Sequence, residues 1–247
     1  MLFVGSCFAD NIGKRFVEDR FNAEVNPYGV MYNPASILHT IEKTSISPDI
    51  AVFTLGTNHI YKFKESGEIV DNCKKLPQSL FVEEELTIEQ CVAFLSAAIN
   101  ILLQRNAQCK VIITVSPIRY AKYGYHNSAL SKAVLLLAAD KLAKQKPNTV
   151  YYFPAYEIVN DELRDYRFYK EDMLHPTEQT ANYIYHKLQE TLFSEETKRF
   201  ISEWKPIKEA LNHKPFDETS ENYKQFKQQT LEKLRVFEQK YNLPAIK

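Results

Sequence analysis

The sequence predicts an α/β fold, a three-layer α/β/α arrangement with a parallel sheet of about five strands and a C-terminal helical extension. Two observations predict the sheet: apolar runs of strand length alternate with segments of helical periodicity, and the longest runs are almost continuously apolar, as strands buried on both faces are. A third observation predicts the extension, because the strand signal stops at about residue 193 and charged helical patterns follow. We therefore predict a main domain over residues 1–192 and a helical extension over residues 193–247.

The predicted strands are short and most end at glycine or proline, which interrupt regular structure. Strands are predicted over residues 2–4, 21–25, 49–56, 110–116 and 149–153, and a hairpin over residues 60–70. Helices are predicted over residues 8–20, 35–43, 87–105, 127–144 and 177–192, and in the tail over 195–211, kinked or split at Pro206, and 218–241. The tail is expected to pack on the main domain or on a partner subunit, which would form a homodimer.

Composition excludes several classes of function. The 247 residues include 31 basic and 31 acidic side chains without a basic run, which argues against nucleic-acid binding by bulk charge. No apolar run is long enough to span a membrane, and no signal peptide is visible. The four cysteines, Cys7, Cys73, Cys91 and Cys109, lack the paired spacing of a zinc site or a disulfide framework. Reduced thiols and a cytoplasmic location are predicted, although the chain begins directly before the first strand and the location depends on what precedes it.

Ser6 lies where the first predicted strand turns into the first helix. Its hydroxyl would project beyond the carboxyl end of the strand, and its N–H would lie at the positive end of the helix. Exposure and a nearby donor for a developing oxyanion are two requirements of a nucleophilic serine. The structural alternative is a helix N-cap, a position that serine favours.

Asp172 and His175 form the second candidate group. An acid three residues before a histidine, followed by Pro176, can bring its carboxylate to one ring nitrogen and leave the other free to face a serine. This is the base and the orienting acid of a catalytic triad. The alternatives are a surface or N-cap acid for Asp172 and a hydrogen-bonded structural histidine for His175.

Taken together, these residues resemble a known family. Residues 5–9 read Gly-Ser-Cys-Phe-Ala, the motif that gives the GSCFA family its name, and that family is similar to the SGNH/GDSL-type hydrolases. Further segments that resemble the family are residues 26–34, 55–58, 116–119 and 164–169. The resemblance implies an SGNH-hydrolase-like, flavodoxin-like fold, a triad of Ser6, His175 and Asp172, a covalent acyl-enzyme and no cofactor or metal.

The resemblance also implies an oxyanion hole made by the backbone N–H groups of Ser6 and Gly29 and the side chain of Asn58. A plain turn glycine and an Asx-turn are the structural alternatives for the last two. His59 and Arg119 follow the ends of predicted strands and are candidates for substrate contact, with a structural histidine and a surface ion pair as the alternatives.

The predicted function is that of a serine esterase or deacylase acting on O-acyl esters of small molecules, with acylated carbohydrate as the expected substrate class. The same residues would also serve acyl transfer to an acceptor other than water. The competing interpretation is a catalytically silent SGNH-like module that binds a ligand or partner through its cleft or its helical tail. His59 stands where the related enzymes commonly have Asp, which favours this alternative.

Overall fold

The computed structural model describes residues 1–71, 73 and 76–245. Its strands are β1 Leu2–Gly5, β2 Glu24–Val25, β3 Ile50–Leu55, β4 His59–Phe63, β5 Ile69–Val70, β6 Phe81–Glu85, β7 Lys110–Val115 and β8 Val150–Tyr152. Its helices are α1 Cys7–Glu18, α2 Pro34–Lys43, α3 Ile88–Arg105, α4 Gly124–Gln145, α5 Ala155–Glu157, α6 Glu178–Leu192, α7 Glu195–Leu211 and α8 Glu221–Lys240. The chain divides into two units, Met1–His186 and Lys187–Lys247.

The first unit is built on a five-stranded sheet in the order β2-β1-β3-β7-β8, in which every neighbouring pair is parallel. Leu2 lies opposite Ala51 of β3, and Ile50 lies opposite Lys110 of β7. The sequence prediction of a parallel five-stranded sheet in an α/β fold is confirmed.

Successive side chains of a strand point to opposite faces of a sheet, and in β1 the side chains on both faces are apolar. Helices cover both of these faces. Leu2 and Val4 of β1 belong to the large buried core that includes apolar residues of α2, α3 and α4. Phe3 points the other way and packs on Phe16 of α1, with ring centroids 5.0 Å apart. Phe16 in turn contacts Tyr185 of α6 at 5.2 Å, which completes the third layer.

A second sheet has the order β5-β4-β6 and is antiparallel throughout. The predicted hairpin corresponds to β4 and β5, but the sequence analysis missed β6. Only Phe81 of this strand is buried, and three consecutive glutamates follow Val82, so the alternation that signals a strand is absent. Pairing with β4, in which His59 lies opposite Glu85, holds the segment extended.

The segment after β8, for which no helix was predicted, contains α5 and a π-helical turn over Ile158–Leu163. It ends at Arg164, whose φ of 48° is left-handed and stops the helix. In addition, α4 starts three residues earlier than predicted, at Gly124. Of the kink or split predicted at Pro206, the split does not occur, since α7 runs through Pro206 as one helix.

In the second unit, α7 and α8 pack through four buried apolar residues, Trp204, Ile207, Leu234 and Phe237. These two helices alone therefore form a small apolar core. Of the helices in the described ranges, none combines the length and the hydropathy needed to cross a bilayer.

Candidate active site

The strand order places a crevice at the carboxyl end of β1. The chain runs from β1 outward to β2 and then back to β3, and open parallel sheets bind ligands at such a switch point. Ser6 directly follows β1, Gly56 directly follows β3, and Arg119 follows β7. The structure thus brings residues that are far apart in the sequence to one edge of the sheet.

Ser6 is the N-cap of α1 and is completely buried. Its Oγ accepts a hydrogen bond from the Phe8 N–H at 3.2 Å and shares a second with Thr54 Oγ1 at 3.1 Å. The hydroxyl therefore stands at the predicted strand-to-helix turn and performs the capping role named as the structural alternative. A nucleophilic role requires this hydroxyl to exchange its partners and reach a substrate.

Two glycines allow the close packing around Ser6. Gly5 has φ of +149°, and a Cβ placed there would lie 2.3 Å from the Thr54 carbonyl oxygen. A Cβ on Gly56 would lie 2.6 Å from the Tyr120 hydroxyl oxygen and 3.4 Å from the Ser6 Cβ. The Tyr120 hydroxyl thus packs against Gly56, and within the described part of the chain this buried oxygen has no hydrogen-bond partner. The sequence carried no signal for this residue beyond its place after β7.

Asp172 and His175 contact each other as their spacing predicts. The carboxylate Oδ2 of Asp172 lies 2.7 Å from Nδ1 of His175. Its Oδ1 accepts hydrogen bonds from the backbone N–H groups of Leu174 at 2.8 Å and His175 at 2.9 Å. These bonds, the backbone ones foremost, lower the pKa of Asp172 to about 2. The acid is therefore ionised at neutral pH and can orient the imidazole.

The loop that carries this pair is anchored at both sides. Tyr169 and Pro176 form an antiparallel bridge, and the Lys170 N–H donates to the His175 carbonyl at 2.7 Å. Met173 takes a left-handed φ of 58°, which turns the chain between these two arms. The Arg119 N–H donates to the Leu174 carbonyl at 3.1 Å and so ties the loop to the end of β7.

Ser6 directly follows β1 and the loop of His175 is tied to the segment after β7, so both residues lie at the same edge of the sheet. Only β3 lies between β1 and β7, so the ends of these two strands are about 10 Å apart. Across the described ranges, no hydrogen bond joins Ser6 to His175. The imidazole is more open than the serine, since 39% of the His175 side chain is exposed.

Each group expected to form the oxyanion hole donates to a protein carbonyl in this structure. The Ser6 N–H donates to Thr54 at 3.0 Å, and the Gly29 N–H donates to Asn26 at 2.8 Å. The side-chain amide of Asn58, which is buried, donates to the Leu86 carbonyl at 2.8 Å. Stabilising an oxyanion would require these donors to leave or share their present acceptors.

His59 lies on β4 with 7% of its surface exposed. Its ring stacks on Tyr123 with centroids 3.8 Å apart, and its Nδ1 lies 3.2 Å from a Glu83 carboxylate oxygen without the geometry of a hydrogen bond. The side chain is held within the second sheet, an arrangement that fits the structural alternative given for it.

Arg119 lines a cavity, and among the residues that the structure describes it forms no ion pair with a carboxylate. Its guanidinium carbon lies 4.4 Å from the ring centroid of Tyr125 and 5.5 Å from that of Tyr166. Within the described ranges, no three His, Cys, Asp or Glu side chains are grouped so as to hold a metal ion.

Comparison with solved structures places the fold among known ones. A protein named for platelet activating factor, from Streptococcus pneumonia, is 13% identical with a TM-score of 0.51, over 76% of this chain and 81% of that chain. A member of the lipolytic G-D-S-L family from Veillonella parvula DSM 2008 is 16% identical, with a TM-score of 0.48 over 77% and 96% of the two chains. A carbohydrate esterase of family 3 from Talaromyces cellulolyticus is 12% identical, with a TM-score of 0.47 over 81% and 97%. At these identities the likeness concerns the fold alone.

No curated protein matches the sequence significantly. The GSCFA family matches residues 1–49 and 43–188, and the C-terminal domain of GSCFA domain proteins matches residues 204–244. These matches cover most of the chain and include both halves of the candidate site. The chain therefore belongs to the GSCFA family, as the motif at residues 5–9 predicts.

Proposed function

We propose that this protein hydrolyses O-acyl esters, with Ser6 as nucleophile, His175 as general base and Asp172 as the acid that orients His175. The observation that carries the proposal is the Asp172–His175 pair at 2.7 Å, held at the same sheet edge as Ser6. The second ring nitrogen, Nε2, has no hydrogen-bond partner within the described part of the chain. An oriented imidazole with one free nitrogen is what a serine nucleophile needs as its base.

The proposed reaction proceeds in two halves. Ser6 Oγ attacks the ester carbonyl while its proton passes to His175 Nε2, which then gives that proton to the leaving alcohol. Water attacks the resulting acyl-serine, His175 accepts the proton of the water, and Ser6 leaves with that proton as the acid is released. Asp172 keeps Nδ1 protonated throughout and stabilises the imidazolium.

The oxyanion would be stabilised by the N–H groups of Ser6 and Gly29 and by the Asn58 amide. In this proposal the substrate displaces the carbonyl acceptors that these donors now have, and Ser6 Oγ exchanges Thr54 for His175. A small-molecule or carbohydrate ester is the proposed substrate class. The triad acts on the acyl carbonyl, so the rest of the cleft would select the alcohol.

One observation favours the alternative of a catalytically silent binding module. Ser6 is completely buried, and its Oγ already has two partners, Phe8 and Thr54. In a silent module these bonds would persist when ligand binds, and the cleft would recognise a ligand without acylation.

The two functions are separated by ester hydrolysis assays on the full chain. The substrates are 4-nitrophenyl acetate and a set of O-acetylated monosaccharides, and the variants are Ser6→Ala, His175→Ala and Asp172→Asn. Ser66→Ala, at an exposed serine in the hairpin turn, is the matched control. We expect each triad variant to lose at least about a hundredfold in kcat while the control keeps full activity. A folded Ser6→Ala protein with undiminished activity would overturn the proposal.

A further inference from the structure

A cavity of about 270 Å³ lies beside the loop that carries Asp172 and His175. It is bounded by the start of α4 and by the segment after β8, and its charged lining residues are Arg119, Lys132, Arg164 and Asp165. Three basic side chains and one carboxylate thus line a small, partly open cavity. The cavity is part of the first unit and contains no residue of the triad.

Arg119 is prepared to bind an oxyanion. Its guanidinium is stacked among tyrosines, at 4.4 Å from the Tyr125 centroid and 5.5 Å from the Tyr166 centroid. Within the described ranges it forms no ion pair with a carboxylate. Stacking and a hydrogen bond with Tyr166 hold the planar group in one orientation. The guanidinium has five N–H donors in a fork that matches a carboxylate or a phosphate.

Lys132 is a second basic side chain that has no carboxylate partner among the described residues. Only 3% of its surface is exposed, and its Nζ donates to the carbonyls of Gly56 at 2.6 Å and Ser116 at 2.8 Å. An ammonium has three N–H donors, and among the described residues two of them have carbonyl acceptors. Burial of a charge without a counter-charge is unfavourable, and an anion in the cavity would offset that cost.

The backbone adds to this positive field. Tyr125, Ser128 and Ala129 line the cavity from the first two turns of α4, where the helix dipole favours negative charge. The one carboxylate among the described lining residues is Asp165, whose Oδ1 accepts the Arg167 N–H at 2.8 Å. The charge of Asp165 is therefore partly compensated by a backbone N–H group of its own loop.

The cavity is joined to both halves of the candidate active site. Lys132 binds the carbonyl of Gly56, the residue that packs against Ser6. The Arg119 N–H binds the carbonyl of Leu174, next to His175. A ligand group held by Arg119 and Lys132 would therefore lie close to the proposed nucleophile and to its base.

We propose that this cavity binds a small oxyanion group, a carboxylate or a phosphate, carried by the substrate. The inference that the anion is part of an ester rests on the proposed function. The inference that the cavity binds an anion is independent of it. The protein would thus prefer acyl esters of negatively charged small molecules, such as acidic or phosphorylated sugars, over neutral esters of the same size.

Binding is tested by calorimetric titration of the full-length Ser6→Ala protein with glucuronate, glucose 6-phosphate and glucose. We expect at least one of the two anionic sugars to bind at least tenfold more tightly than glucose, and the stronger of them identifies the oxyanion. Arg119→Gln should remove this preference, and Arg119→Lys, which keeps the charge without the planar fork, should restore only part of it. Arg167→Gln is the matched control, since this exposed arginine of the same loop lies outside the cavity.

Equal affinity for all three sugars, no binding of either anion, or an unchanged preference in a folded Arg119→Gln protein would overturn the inference. Hydrolysis of 4-nitrophenyl acetate and of O-acetylated glucose, glucuronate and glucose 6-phosphate by the wild-type chain is measured in parallel. Anion binding without any esterase activity would overturn the proposed function alone. Esterase activity without anion binding would overturn the cavity assignment alone.

Discussion

Asp172 holds His175 through both of its carboxylate oxygens, Oδ1 on the backbone N–H at 2.9 Å and Oδ2 against the ring Nδ1 at 2.7 Å. The first bond fixes the turn and the second fixes the ring. Because the pKa of Asp172 is lowered to about 2, chiefly by backbone N–H groups, the carboxylate is charged at every pH at which an esterase would be assayed. The pair is therefore a preformed element that needs no ligand to assemble.

Asp172→Asn tests what this pair contributes. The amide oxygen can still accept backbone N–H groups, but the amide no longer selects the imidazole tautomer whose Nε2 accepts a proton. We expect kcat for ester hydrolysis to fall by about a hundredfold to ten-thousandfold with little change in KM. Glu171→Gln, at the neighbouring exposed acid, should leave kcat unchanged. Equal rates for Asp172→Asn and the wild type would remove Asp172 from the triad.

Asn58→Ala separates an oxyanion role from a structural one. Loss of an oxyanion donor should lower kcat by about a hundredfold or more. The same substitution removes the donor to the buried Leu86 carbonyl and should reduce the free energy of unfolding by about 1–3 kcal/mol. Urea unfolding and initial rates are measured on the same preparation. A stability loss with an unchanged kcat would show that Asn58 only stabilises the segment before α3 through its hydrogen bond to Leu86.

Lys132 makes stability depend on pH in a defined window. Burial lowers its pKa to about 7 from 10.5, so between these values the unfolded chain binds more protons than the folded one. Stability should therefore rise with pH across this window, by at most on the order of 1 kcal/mol per pH unit. Lys132→Met should remove this rise when urea unfolding is compared at pH 7 and pH 9, and Lys144→Met, at an exposed lysine of the same helix, should not. Identical pH dependence in Lys132→Met and the wild type would contradict the burial of the ammonium group.

Gly5 and Gly67 both have positive φ, but only Gly5 is crowded. A Cβ on Gly5 would lie 2.3 Å from the Thr54 carbonyl oxygen, whereas a Cβ on Gly67 would meet nothing within 4 Å. We expect Gly5→Ala to lower the free energy of unfolding by about 1–3 kcal/mol more than Gly67→Ala does. Thermal and urea unfolding measure the difference, and equal losses would show that the turn before Ser6 is not tightly packed.

The sequence predicts the features that depend on local pattern. β3 and β7 are continuous apolar runs that end at glycine or proline, and the structure places both within one residue or so of the predicted bounds. The contact between Asp172 and His175 spans three residues and follows from their spacing. These features are local, so neighbouring residues determine them.

Features formed by distant segments could not be predicted. The partner that holds the Ser6 hydroxyl is Thr54, which lies 48 positions away along the chain. β6 is a strand only because β4 pairs with it. Its three consecutive glutamates remove the alternation of apolar and polar residues by which a strand is predicted. A lysine within a helix is usually solvated, so the sequence does not indicate that Lys132 is buried. Its burial depends on the residues that follow β3 and β7, whose carbonyls accept hydrogen bonds from its Nζ. The cationic cavity depends on these same long-range contacts.

Covalent labelling shows whether Ser6 is an activated nucleophile. The full-length protein is treated with a fluorophosphonate ester probe, and the modified peptide is identified by mass spectrometry. We predict a single adduct on Ser6 that is absent in Ser6→Ala and strongly reduced in His175→Ala, with both variants folded by circular dichroism. A folded wild-type protein that forms no adduct at Ser6 would contradict the account and favour the silent binding module.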